Sequence, residues 1–366
     1  MKGRWPRLRA QILKELLSVL RDPKSRFLLI GPPVIQLLIF SFAATLELKN
    51  VDIAVHNRDA GRWGHELLAR LGSAGFVHRL RPARGAHEIR DMLDRREVIA
   101  GLDVPESFSR DIAAPRPAKV QVILDGRRAN GAQILLGYLN TIVTGLPGRP
   151  DTVRDTLAVR HWFNPNLIYR WFIVPSLGGI LVMFVTLLVT ALSIAREREL
   201  GTFDQLLVSP CTTAEIIIAK IVPALLIGTA LGVFMAAAGI YGFRIPFTGS
   251  FPLLFASLLL FIVSIVGIGL MISSICSTQQ QAILGTFAVG VPAVLMSGFA
   301  TPVENMPAAL QWLAQLIPLK HYLIILQGSF LKALPPSEIL ANAWPMALIA
   351  MVTLAAATVF VRGRLQ

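Results

Sequence analysis

The chain alternates long apolar runs with short polar intervals. Runs at residues 27–46, 171–195, 221–243, 255–276, 283–300 and 344–361 approach the ~20 residues that cross bilayer hydrocarbon, and none carries a charge in its middle. Six transmembrane helices are expected from them. The interval 47–170 has a different texture. Short β-rich runs at 51–55, 98–104 and 120–124 alternate there with amphipathic stretches at 65–71 and 87–93, a pattern of strands and helices in α/β layers. A longer amphipathic helix is expected over 133–146, broken by Pro147, Gly148 and Pro150. The fold class expected is a multi-pass α-helical membrane protein with an inserted extracytoplasmic α/β domain.

The polar intervals set the orientation. The tail 1–26 holds Lys2, Arg4, Arg7, Arg9, Lys14, Arg21, Lys24 and Arg26 against Glu15 and Asp22, the positive-inside signature of a cytoplasmic N-terminus. Leu8, Ile12, Leu16 and Val19 form one helical stripe in that tail, as in a helix lying on the membrane face. The segment 196–220 is then cytoplasmic, and 301–343 lies outside. In 310–331 an apolar piece is interrupted by Pro318, Lys320 and His321, which reads as two short interfacial or re-entrant helices. Arg362 and Arg364 close the chain on the cytoplasmic side, as an even number of spans requires.

Composition agrees: 54% of residues are hydrophobic, 16% are charged and mean hydropathy is +0.60. A net charge of +13 would suggest nucleic acid in a soluble chain. Outside the tail the excess is spread thinly, with no interleaved aromatic residues to stack on bases, so nucleic acid is not an expected partner. Two cysteines, Cys211 and Cys276, argue against a disulfide framework. The first run is too long and its basic leader too extended for a cleaved signal, so an uncleaved signal anchor is expected.

Catalytic patterns are absent. No Gly-Lys-Ser/Thr phosphate loop occurs, His65-Glu66 and His87-Glu88 lack the second histidine of a zinc-protease helix, and Cys211 has no histidine nearby. No metal site and no enzyme are expected. Self-powered ion pumps bury titratable groups at mid-membrane, and the spans here have none, so energy for transport would come from another subunit.

The informative stretch is Arg196-Glu197-Arg198-Glu199-Leu200-Gly201-Thr202-Phe203-Asp204-Gln205-Leu206-Leu207-Val208-Ser209-Pro210. It follows a span directly, alternates charge, turns at Gly201, and restarts as a short amphipathic helix that Thr202 can cap and Asp204 suits electrostatically. Residues 197–206 resemble the Glu-Arg-Glu-basic-Gly-Thr-x-Glu-Gln-Leu signature of ABC-2 type transporter permeases. Leu200 departs from it where a basic residue is common, and Asp204 where glutamate is. Val208-Ser209-Pro210 with Glu215 and Lys220, His161-Trp162-Phe163-Asn164-Pro165, Thr301-Pro302-Val303-Glu304-Asn305-Met306-Pro307 and Pro318-Leu319-Lys320-His321-Tyr322 are similar to further segments of the family. The resemblance covers nearly the whole chain and is to the branch with a large extracytoplasmic domain, which includes drug and antibiotic exporters.

The resemblance implies a permease subunit of an ATP-binding cassette exporter in the bacterial inner membrane. It would move an amphipathic or lipophilic drug-like molecule, with ATP and Mg bound only by a partner ATPase. Glu197, Glu199, Gly201, Thr202, Asp204 and Gln205 would couple to that ATPase, and the N-terminal helix would be a second contact. A second permease copy or a similar permease, a periplasmic adaptor and membrane lipids are further implied partners. Gln36, Thr186, Thr190, Ser264 and Ser297 are the polar candidates for edging the path, and glycines such as Gly228 and Gly232 would let helices approach closely. Rival readings are a membrane-anchored receptor or scaffold using its outer domain, and an exporter of sodium or of a lipid-linked polymer.

Overall fold

The computed structural model describes residues 4–43, 50–95, 97–114, 118–125, 129–146, 164, 168–202 and 212–365. It divides into two compact units: Met1–Ala44 with Phe163–Gln366, and Thr45–Trp162.

In the smaller unit, β1 (Val51–Asn57), β2 (Val77–Pro82), β3 (Ala100–Val104) and β4 (Gln121–Leu124) form one sheet in the order β2-β1-β3-β4. β1 runs parallel to β2 and β3, and β4 runs antiparallel to β3. The helices α3 (Arg62–Gly72) and α4 (Ala86–Asp94) lie in the two connections between parallel strands, as such strands require. Two further helices follow, α5 (Phe108–Ala113) and α6 (Ala129–Thr144). Alternation along β1 turns Val51, Ile53 and Val55 into a core with Leu67, Leu71, Leu102, Leu135 and Leu139. Ala54 faces the other way, into a smaller cluster with Ile89, Leu93 and Val98. Each such leucine or isoleucine contributes about 1.5–3 kcal/mol on burial.

β2 is absent from the sequence expectations. Its run Val-His-Arg-Leu-Arg-Pro is half polar because it is an edge strand with no fully buried residue. α5 also escapes, since six residues are too few to display a period.

The larger unit begins with α1 (Arg4–Arg21) and α2 (Pro23–Ala43). It continues with α7 (Arg170–Glu199), α8 (Thr213–Ala237, extended by a π-helical turn at Ala238–Gly242), α9 (Phe251–Ile275) and α10 (Gln279–Met296). It ends with α11 (Ala308–Gln315), α12 (Pro318–Leu331) and α13 (Pro336–Leu365). Among the described residues four helices are long and apolar enough to cross a membrane: Arg170–Glu199, Ala214–Gly242, Phe251–Ile275 and Pro336–Phe360. α11 and α12, bent by 78° at their junction, qualify only as a pair and would make five. The expected first and fifth spans fall on α2 and α10, which are not among the four. α2 carries Pro32 and Pro33 internally, and α10 opens with three glutamines.

α7 is the central helix, packed by α2, α8, α9, α10 and α12. Between helices in hydrocarbon, close packing replaces the hydrophobic drive, and small residues provide it. A Cβ on Gly228 of α8 would lie 2.7 Å from Thr186 Oγ1 of α7, and Gly269 of α9 packs directly on Thr190.

Candidate functional site at the charged end of the central helix

The apolar run of α7 ends at Ala195, yet the helix continues through Arg196–Glu199. It closes in a Schellman motif: Thr202 N–H donates to Glu197 O (2.9 Å) and Gly201 N–H to Arg198 O (3.1 Å). Gly201 has φ +68°, the left-handed conformation that this closure needs and glycine adopts most easily. Arg196–Glu199 is therefore helical rather than the start of a separate loop, because each charge finds a partner on a neighbouring helix end.

Those partners differ residue by residue. Arg198 Nη1 donates to Ser274 O (2.8 Å) and Cys276 O (3.1 Å), satisfying carbonyls at the end of α9. Glu199 accepts from Gln279 N–H (2.7 Å) at the first residue of α10, where a negative charge suits the helix dipole. Glu197 accepts from Lys14 of α1 (3.0 Å) and from Lys220 of α8 (2.8 Å). The charged side chains of the run thus join five helices, α1, α7, α8, α9 and α10.

Lys220 is its most demanding member. It is 3% exposed, and its ammonium meets Glu197 Oε2, Glu15 Oε1 (3.1 Å), Ser193 Oγ (3.2 Å) and Ser193 O (3.4 Å). A buried ammonium is tolerated only when paired and hydrogen-bonded in this way. Arg196 completes the junction by donating to Ser18 O (3.2 Å), 4.0 Å from Asp22 Oδ2. Three cations, Lys14, Arg196 and Lys220, thus meet three carboxylates, Glu15, Asp22 and Glu197. Burial pushes the Glu15 carboxyl above its ordinary value, and nearby Glu197 adds to this, against the opposing pull of Lys220 and Lys14. A cavity of about 330 Å³ opens beside the cluster, with apolar walls from Leu29, Val189, Leu192 and Pro223.

Of the six expected coupling residues, Glu197, Glu199, Gly201 and Thr202 come together here, while Asp204 and Gln205 lie outside the described residues, as do Phe203, Leu206 and Cys211. The resemblance also marked Glu215 and Lys220. Glu215 completes a capping box with Thr212 at the start of α8. The polar path candidates are not gathered on one surface. Thr186, Thr190 and Ser264 are fully buried where helices cross, Gln36 is exposed on α2, and Ser297 bonds back to Val294 O. Lys14, Glu15 and Lys220 were not singled out as a cluster by sequence. The signal was present: Glu15 stands three residues after Ile12 and four before Val19, inside the apolar stripe of α1. Among the described residues no group of three His, Cys, Asp or Glu could hold a metal ion.

The family model of the ABC-2 family transporter proteins matches residues 24–359. The chain belongs to the ABC-2 transporter family. This ABC-2 permease is 42% identical over 365 residues to the probable multidrug ABC transporter permease YbhR of Escherichia coli strain K12, covering 98% of this chain and 99% of that protein. It is 28% identical to the probable multidrug ABC transporter permease YbhS of the same strain, covering 92% of each. It is also 28% identical to the inner membrane transport permease YhhJ, covering 86% of each.

Proposed function

We propose that this ABC-2 permease is the membrane subunit of an exporter in the bacterial inner membrane. It moves an amphipathic or lipophilic, drug-like compound out of the cytoplasm or inner leaflet, powered by a separate ATPase. The names of YbhR and YbhS support the cargo class, and uncharged spans suit a lipophilic cargo. In this reading six spans place both ends in the cytoplasm, the Thr45–Trp162 unit faces outward, and a second permease completes the path.

The observation that carries the mechanism is the junction at the end of α7. Glu197, Arg198 and Glu199 bind α1, α8, α9 and α10 together, so a push delivered next to Gly201 reaches five helices at once. Glu197, Glu199, Gly201 and Thr202 transmit that push, and Asp204 and Gln205 meet the ATPase. The test is purification in mild detergent: an ATP-hydrolysing subunit should accompany the chain in a fixed ratio and be lost in Asp204→Lys/Gln205→Ala. Full retention of the subunit in that variant would remove the segment from the contact.

A further inference from the structure

α1 presents two apolar surfaces, and one of them contains a carboxylate. Trp5, Leu13, Leu17 and Leu20 are exposed on the side suited to lipid. On the other side Leu8, Ile12 and Val19 face the bundle with Glu15 among them, and Glu15 is 8% exposed. A helix serving only as a lipid anchor gains nothing by burying an acid, because burial without a partner is strongly unfavourable. Here Glu15 reaches Lys220, which reaches Glu197, which reaches Lys14, returning to α1 within one residue of the start. Arg196 fixes α1 a second time one turn later, at Ser18.

We infer that Glu15 and Lys220 are positioning residues of the transport cycle, locking α1 to the polar ends of α7 and α8 so that the three move as one rigid body. This rests on the exporter reading above and deepens it. The lock supplies α7 and α8 with a lever that lies flat on the membrane. Its charges stay paired throughout the cycle, since opening the Glu15–Lys220 link would leave the buried Glu15 carboxylate without that partner. Breaking the Glu15–Lys220 link removes the direct ion pair between α1 and α8 and leaves α1 tied to the cluster through α7, by Lys14–Glu197 and Arg196–Ser18, which loosens the rigid body.

Two measurements on the intact permease–ATPase complex test this. In a Cys211→Ser/Cys276→Ser background, spin labels at Leu13→Cys on α1 and Ile218→Cys on α8 sit on exposed positions outside the lock. Their distance distribution should be the same without nucleotide and with ATP trapped, while a shift of its peak would overturn the rigid body. The second measurement is the amount of a fluorescent lipophilic cation exported per ATP hydrolysed. Glu15→Leu restores an unbroken apolar stripe and should leave the amount of complex unchanged, yet lower that ratio about tenfold, as loss of one hydrogen bond to a charged group does. Glu15→Gln, which keeps a hydrogen-bond acceptor for Lys220, should fall in between. An unchanged ratio in Glu15→Leu would make the cluster merely structural and overturn the proposal. Absence of any ATPase from the unmodified complex would instead overturn the exporter reading.

Discussion

Lys220 is almost completely buried and is matched by four oxygen contacts. Lys220→Met would strand Glu15 and Glu197 beside each other, and breaking a buried pair in this way costs about 3–5 kcal/mol. Thermal unfolding of the purified chain should show that loss, with Lys220→Arg much closer to the parent. Asp59 illustrates the same physics in the other unit. Burial alone would raise its carboxyl, but hydrogen bonds from Ser109 Oγ and from the N–H groups of Gly61, Ser109 and Gly64 outweigh it and hold it below its ordinary value of 3.8. A depressed acid stabilises the fold above its ordinary value and loses that contribution as pH falls through the lowered one. Protection at β1 and α3, measured as exchange relative to the intrinsic rate at each pH, should therefore fall on acidification in the parent, and Asp59→Asn should be less protected at neutral pH with a flatter acid response. Lys220 was marked in sequence only by the family resemblance and Asp59 not at all, because a buried charge looks like a surface charge until its partner, 205 positions away for Glu15 and Lys220, is placed beside it.

At the scale of elements, the ends of α7 and α10 depend on local stereochemistry that sequence does reveal. Gly201→Ala forces a Cβ into the left-handed region and should destabilise the chain by about 1 kcal/mol. Thr278 Oγ1 accepts from Gln281 N–H at the start of α10, so Thr278→Ala should lose about 1 kcal/mol, read as a lower unfolding temperature. The apolar stripe of α1, the turn at Gly201 and the break at Pro318 were all visible as periodicity or punctuation. The continuation of α7 past its apolar run was not. Arg-Glu-Arg-Glu reads as a solvated loop when taken alone, and only the carbonyls of α9 and the first amide of α10 show why it stays helical. β2 stayed hidden for the same reason: an edge strand needs only one neighbour, and its pattern is correspondingly weak.

Across the whole molecule, α7 is held by glycine contacts along its length and by charges at its end. A bulky residue in the tight crossing should separate helices that the cycle needs packed, so Gly269→Leu, directed at Thr190, should destabilise the bundle by about 1–3 kcal/mol. In the exporter we propose, the charged end is where an external push enters. Four of the six expected spans were legible at this scale because hydrocarbon imposes length and polarity directly, while α2 and α10 are not among the described helices long and apolar enough to cross. The polar path was not, since hydroxyls on a span serve helix contacts as readily as cargo, and Thr190 and Ser264 are committed to backbone carbonyls. The most direct measurement is uptake of a fluorescent lipophilic cation into inverted inner-membrane vesicles carrying the chain and its co-purifying ATPase. ATP-dependent accumulation that disappears with ADP, and with vesicles lacking the chain, is the expected result. Equal accumulation in vesicles with and without the chain would contradict export by this permease.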